Sequence, residues 1–121
     1  MAHLLVTGGA GYIGSHCLRA LQRAGHSAVV FDDLSAGRAD FVRGAELVRG
    51  DVCDPNAVSD AFAHHGPFDG VLHFASLISV AESVAEPERY RTNIVGGSST
   101  VLRAALDHGA RCFVLSSTAA V

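Results

Sequence analysis

The segment Thr7-Gly8-Gly9-Ala10-Gly11-Tyr12-Ile13-Gly14 places three glycines at the spacing Gly8-x-x-Gly11-x-x-Gly14. It follows a short apolar run and precedes a stretch of helical periodicity, which is where a phosphate-binding turn belongs. Gly8 permits the tight turn, Gly11 leaves room for a pyrophosphate beside the backbone, and Gly14 lets the helix pack closely. The free N–H groups and the positive end of the helix dipole then face the phosphates. A carboxylate, Asp32, ends the second apolar run, 24 residues after Gly8. At that point it accepts hydrogen bonds from adenosine ribose hydroxyls and repels a 2′-phosphate. Loop and carboxylate together predict a dinucleotide site that takes NAD in preference to NADP.

The elements that must position these residues are legible in the apolar pattern. Residues 3–7 (HLLVT) are a short run stopped by glycines, as suits a strand buried on both faces. Ile13, Cys17, Leu18, Leu21 and Ala24 recur at helical spacing, and Gly25 ends that helix. Residues 28–31 form the next strand, closed by Asp32 and Asp33, and 46–49 a weaker one ending at Gly50-Asp51. Asp54 caps a helix whose first turn holds Pro55. Residues 69–75 read as a strand, 87–108 as a longer helix, and 111–116 as a last strand buried on both faces. Strands separated by helices pair in parallel through right-handed crossovers. The expectation is an α/β fold: a Rossmann-type doubly wound parallel sheet of about five strands, in one domain spanning 1–121. Ligands bind beyond the carboxyl ends of such strands. That points to residues 7–14, 32–38, 51–52, 74–80 and 116–121.

Composition narrows the function classes. Of 121 residues, 49% are hydrophobic and 17% charged, so a disordered tail is excluded. No apolar stretch is long enough to span a membrane, and no signal peptide is apparent at the amino end. A net charge of -3 argues against nucleic acid or an anionic membrane as the partner. Cys17, Cys53 and Cys112 are far apart and odd in number, which fits a reducing cytoplasm better than a disulfide framework or a zinc site. His64 and His65 are adjacent, so they point about 100° apart on a helix and share no ligand face. They read as surface residues, and His73 and His16 as structural ones. No metal site is expected.

The glycine spacing resembles the short-chain dehydrogenase/reductase superfamily. TGGAGYIG is similar to its extended branch, the NAD-dependent epimerase/dehydratase family acting on nucleotide sugars. The resemblance runs along essentially the whole chain. Asp32-Asp33-Leu34-Ser35 resembles that branch's Asp-Asn-Leu-Ser loop around the adenosine, and Asp51-Val52 its acidic pair near the adenine. His73-Phe74-Ala75-Ser76 with Val80-Ala81-Glu82-Ser83 looks like the HFAxxxxVxES stretch of its UDP-sugar 4-epimerases. Tyr90 to Asn93 resembles its YxxN motif, and the segment from Ser116 to Val121 its SSSATVYG. The resemblance implies that Tyr12 and Ile13 lie against the pyrophosphate, although Ile13 also fits a core position of the helical pattern. It implies that Phe74, Ala75 and Ser76 line the nicotinamide ribose and phosphates, with Asn93 and Ser116 near that end. Two positions depart from the pattern: Ile78 stands where the family often has lysine, and Asp33 where it has asparagine.

Members of this family use a Ser or Thr with a Tyr-x-x-x-Lys pair, the tyrosine taking the substrate hydroxyl proton and the lysine lowering its pKa. Thr118 matches the hydroxyl member. The chain has tyrosine only at positions 12 and 90, and all nine of its basic residues are arginine. The resemblance therefore implies the cofactor-binding part of a longer UDP-sugar 4-epimerase, homodimeric as a whole, and inactive as these 121 residues alone. A nucleotide-sugar 4,6-dehydratase or decarboxylase is the first alternative. Those enzymes place an acid just after the catalytic hydroxyl, where this chain has Ala119 and Ala120. A non-catalytic NAD-binding module is the second.

Overall fold

The computed structural model describes residues 2–10, 12–34, 39–74 and 96–115, the side chains of Tyr12, Phe41 and Leu115 excepted. Five strands, β1 (His3–Thr7), β2 (Ser27–Asp32), β3 (Glu46–Arg49), β4 (Gly70–His73) and β5 (Cys112–Leu115), form one sheet in the order β3-β2-β1-β4-β5. Every neighbouring pair is parallel. Among the described residues three helices, α1 (Tyr12–Arg23), α2 (Pro55–His65) and α3 (Gly97–Asp107), cover it, with a short 3-10 turn at Ala39–Phe41. The doubly wound architecture read from the alternation of apolar runs is the one observed.

Side-chain alternation in the strands makes two cores. Leu5, Val29, Phe31 and Val71 point to the face packed by α2 and α3, where Val58, Phe62, Val101 and Ala104 meet them. Val6, Ala28 and Val30 point to the other face, beneath Leu18 of α1. A strand sandwiched this way needs apolar residues at both parities, which is why these runs are continuous rather than alternating. The α2 start follows its sequence cues: Asp54 Oδ1 accepts from the N–H groups of Asn56 at 3.0 Å and Ala57 at 3.4 Å, and Pro55 occupies the first turn.

The chain winds from β1 outward to β3, then returns to place β4 on the other side of β1. That reversal makes the carboxyl ends of β1 and β4 the topological switch point, whose crevice is where doubly wound sheets bind ligands. In register, Thr7 pairs with both Phe31 and His73, so three strand ends finish side by side at the crevice.

Within these residues the last strand is only partly covered: Cys112 is exposed and Val114 is 45% exposed, as expected of the chain taken by itself. Among the described strands β5 has one neighbour, β4, and α1 packs on β1 and β2 rather than reaching it. Several expectations are corrected. Ala24, counted in the apolar periodicity of α1, is exposed because it lies past the last helical residue. β4 stops at His73, short of the expected end at 75. The expected helix at 87–108 is described from Gly97 onward, and its earlier part lies outside the described residues.

Candidate cofactor site

The glycine-rich loop leaves β1 by a turn that requires glycine. Gly8 has φ +71°, a left-handed conformation, and its N–H donates to the Phe31 carbonyl at 2.8 Å, pinning the loop to β2. Gly14, in the first turn of α1, lies so close to Gly8 that a Cβ on it would overlap the Gly8 carbonyl. The close approach expected at Gly14 is therefore between α1 and the loop backbone after β1. Gly9, to which the motif reading gave no role, is also constrained, though by side chains rather than backbone. A Cβ there would stand 2.8 Å from Val30 Cγ1 and 3.2 Å from Val6 Cγ1. Its neighbours in the buried strands β1 and β2 were the available signal.

The first turn of α1 contains no acidic residue, so the positive end of its dipole is uncompensated by its own side chains. Ile13 sits in that turn and is 56% exposed. It is therefore not the core residue its helical spacing also allowed, and its apolar side chain faces outward.

Asp32 is the last residue of β2 and only 7% exposed. Its Oδ2 accepts from the Ala10 N–H at 3.0 Å and its Oδ1 from the Leu34 N–H at 2.7 Å. The second bond closes a tight local turn that holds Leu34 at φ 63°, a strained conformation for a leucine. Asp33 is exposed beside it, and the Asp32 carbonyl accepts from Gly50 N–H at 3.1 Å, which ties the end of β3 to the same place. Past β3, Asp51 is exposed and its Oδ1 accepts from Cys53 N–H at 2.9 Å. Val52 turns inward: it is buried in the α2/α3 core, with one methyl where a Cβ on Gly97 would come within 2.8 Å. Phe74, half-buried, packs on the α1 face and donates its N–H to the Thr7 carbonyl at 2.9 Å.

Gly8, Ile13, Gly14, Asp32, Asp33, Leu34, Asp51 and Phe74 thus lie at or just past the carboxyl ends of β1 to β4, whereas Val52 is turned into the core. Gly11, Ser35, Ala75, Ser76, Asn93, Ser116 and Thr118, and the side chain of Tyr12, lie outside the described residues.

The cysteines and histidines around the site are accounted for by packing. Burial raises the Cys53 thiol pKa, with Asp51 adding to it, and burial alone raises that of Cys17, so both are poor thiolates. Among the described residues no three His, Cys, Asp or Glu side chains come together as a metal group. His64 is exposed, its Nδ1 2.8 Å from the Asp60 carbonyl. His73 is fully buried, as a structural histidine should be. Among the described residues no helix is long and apolar enough to cross a membrane.

Known proteins carry the same frame. The chain is 48% identical over 117 residues to the UDP-glucose 4-epimerase of Streptomyces lividans, covering 96% of this chain and 36% of that one. With the UDP-glucose 4-epimerase of Azospirillum brasilense it shares 49% over 119 residues, 98% of this chain and 34% of the relative. The chain thus spans about a third of the length of these curated relatives. The crystal structure of the UDP-glucose 4-epimerase of Stenotrophomonas maltophila, with NAD and formylated UDP-arabinopyranose, superimposes with TM-score 0.92 at 38% identity. It is matched by 100% of this chain over 38% of its own. The Brucella ovis enzyme in complex with NAD gives TM-score 0.92 at 37% identity, over 99% of this chain and 37% of that one. Residues 4–121 match the NAD dependent epimerase/dehydratase family, and with the glycine turn, the Asp32 carboxylate and the β1/β4 crevice in place, the chain belongs to it.

Proposed function

We propose that this chain is the cofactor-binding portion of an NAD-dependent UDP-sugar 4-epimerase that interconverts UDP-glucose and UDP-galactose at C4. The observation that carries the reading is the buried Asp32 carboxylate at the end of β2, beside the acid-free first turn of α1. The residues fit a dinucleotide. Space that Cβ atoms on Gly9 and Gly14 would fill is kept clear by sequence, so the loop backbone stays close to β1 and β2.

In this reading the N–H groups of the loop after β1 and of the first turn of α1, with Gly11, Tyr12 and Ile13, hold the pyrophosphate. Asp32 receives the adenosine ribose hydroxyls, and Asp33, Leu34, Ser35 and Asp51 surround the adenosine. Phe74, Ala75, Ser76, Asn93 and Ser116 take the nicotinamide end. Thr118 hydrogen-bonds O4 of the sugar and helps share its proton. Bound NAD supplies a hydride acceptor, and in its reduced form a hydride donor, for that carbon. The Tyr-x-x-x-Lys pair of the family is not within these 121 residues, so proton abstraction belongs to a longer chain.

The complete protein is proposed to be a cytoplasmic homodimer. Leu102 and Leu106, one turn apart on the outer side of α3 and 40% and 70% exposed, support the dimer. The absence of an acidic residue after Thr118 favours epimerisation over elimination of water across C5–C6, which needs a general acid there. The test is to express the complete open reading frame and follow UDP-galactose conversion, together with the dinucleotide released on denaturation. Formation of UDP-glucose with NAD released supports the reading. A 4-keto-6-deoxy product would replace it with a dehydratase, and NAD release without turnover of any UDP-sugar would leave a binding module.

A further inference from the structure

Both carboxylate oxygens of Asp32 are engaged by backbone from two different loops. Oδ2 accepts the Ala10 N–H at 3.0 Å, in the loop after β1, and Oδ1 accepts the Leu34 N–H at 2.7 Å, in the loop after β2. Ala10 is fully buried and Asp32 nearly so. An N–H at Ala10 deprived of this acceptor has no ready access to water and must either stay unsatisfied or move. The rest of the loop is fixed at its two ends, by the Gly8 N–H on the Phe31 carbonyl and by Gly14 against the Gly8 carbonyl. Ala10 lies between those anchors.

We propose that Asp32 is a positioning residue for the glycine-rich loop, clamping Ala10 to Leu34, in addition to the ribose contact assigned to it above, on which this inference builds. Each carboxylate oxygen has a further lone pair, so one side chain serves both purposes. Two consequences follow. The Ala10 N–H is committed to Asp32 and is not among the donors offered to a phosphate, which falls to residues later in the loop and to the first turn of α1. And a substitution of Asp32 meant to admit a 2′-phosphate disturbs the pyrophosphate end of the site as well. Asparagine is no substitute, since it has one acceptor atom where two N–H groups converge, and its amide N–H₂ would face the second.

The experiment is a binding cycle on the protein expressed from its complete open reading frame, using unmodified protein, Asp32→Ala and Asp32→Asn. The ligands are NAD⁺ and an NAD⁺ analogue lacking both hydroxyls of the adenosine ribose. A carboxylate acting only through those hydroxyls leaves analogue affinity the same in all three proteins. The clamp predicts that analogue affinity falls about tenfold in both variants, a change of about 1.4 kcal/mol, and that NAD⁺ affinity falls further. Hydrogen exchange at the Ala10 amide, read on each protein alone, is expected to be faster in both variants. Equal analogue affinity with unchanged Ala10 exchange overturns the clamp, whether or not NAD⁺ binds. Should Asp32→Ala fail to fold, Asp32→Asn completes the cycle. Failure of the unmodified protein to bind NAD⁺ overturns the proposed function instead, and the Ala10 exchange comparison then decides the clamp by itself.

Discussion

Thr7 Oγ1 lies 2.6 Å from His73 Nδ1 in the fully buried interior, joining the carboxyl ends of β1 and β4 at the mouth of the crevice. The two residues are register partners, and the imidazole also stacks on Phe113 of β5 at a centroid distance of 6.0 Å. One ring therefore ties three strands together beneath the site. Burial pushes the His73 imidazole down to about 4, so the ring is neutral at pH 7, and its Nε2 has no partner among the described residues.

That depressed pKa makes stability depend on pH in a defined window. Between about pH 4 and 6.5 the unfolded chain binds a proton at this histidine that the folded chain does not. The contribution of neutral His73 is complete above pH 6.5 and declines as pH falls toward 4, by up to about 3 kcal/mol. Urea midpoints recorded from pH 7 to 4.5 should show that slope. His73→Gln, which keeps a hydrogen-bonding side chain without a titrating group, should flatten it; an unchanged slope would assign the effect to other groups.

Asp32 should make the complete protein select NAD⁺ over NADP⁺ by about tenfold or more, since a 2′-phosphate would meet a buried carboxylate at close range. Calorimetric titration with both dinucleotides measures it. Equal affinities would remove Asp32 from the ribose.

Gly14→Ala should be more damaging than its size suggests. The new methyl would overlap the Gly8 carbonyl, and backbone cannot rotate away as a side chain can. A loss of roughly 1–3 kcal/mol of stability is expected, together with weakened dinucleotide binding. Gly9→Ala meets Val30 and Val6 instead, which can partly yield, and should cost less. Thermal unfolding and dinucleotide titration of the two variants test the order; Gly14→Ala binding like the unmodified protein would show the loop to be only a turn.

Leu106→Glu, on the exposed side of α3, should leave the sheet intact and separate a dimer of the complete protein into monomers. Light scattering after size-exclusion chromatography reads the mass directly. A variant that remains dimeric would place the interface elsewhere.

Residues 1–121 expressed alone should convert no UDP-galactose, because no lysine is present to depress a tyrosine pKa and Thr118 is a weak acid and base. They should also self-associate through β5, whose Val114 side chain is exposed. Measurable turnover, or a soluble monomer with a sharp thermal transition, would refute one or the other half.

The order of strands and helices, the helix start at Asp54 and the glycine turn were all determined by local sequence. Each depends on a property of neighbouring residues: continuous apolar runs for doubly covered strands, a carboxylate one residue before proline for a cap, glycine where φ is positive. Their positions are accordingly observed within a residue or two, the start of the helix expected at 87 lying outside the described residues. Asp32 was legible as a candidate for the same reason, as the first charge after a buried run.

What only the tertiary structure decided are relations between residues far apart in the chain. Gly9 is confined by Val30, Ala10 is held by Asp32, and Thr7 meets His73 across 66 positions of sequence. Ile13, whose helical spacing also allowed a core position, is exposed, and Val52, set near the adenine by the resemblance, is buried in the core. Periodicity states which residues share a side of an element, but not what lies opposite that side. The exposure of β5 has the same ground, since an apolar strand takes its cover from neighbours that its own residues do not encode.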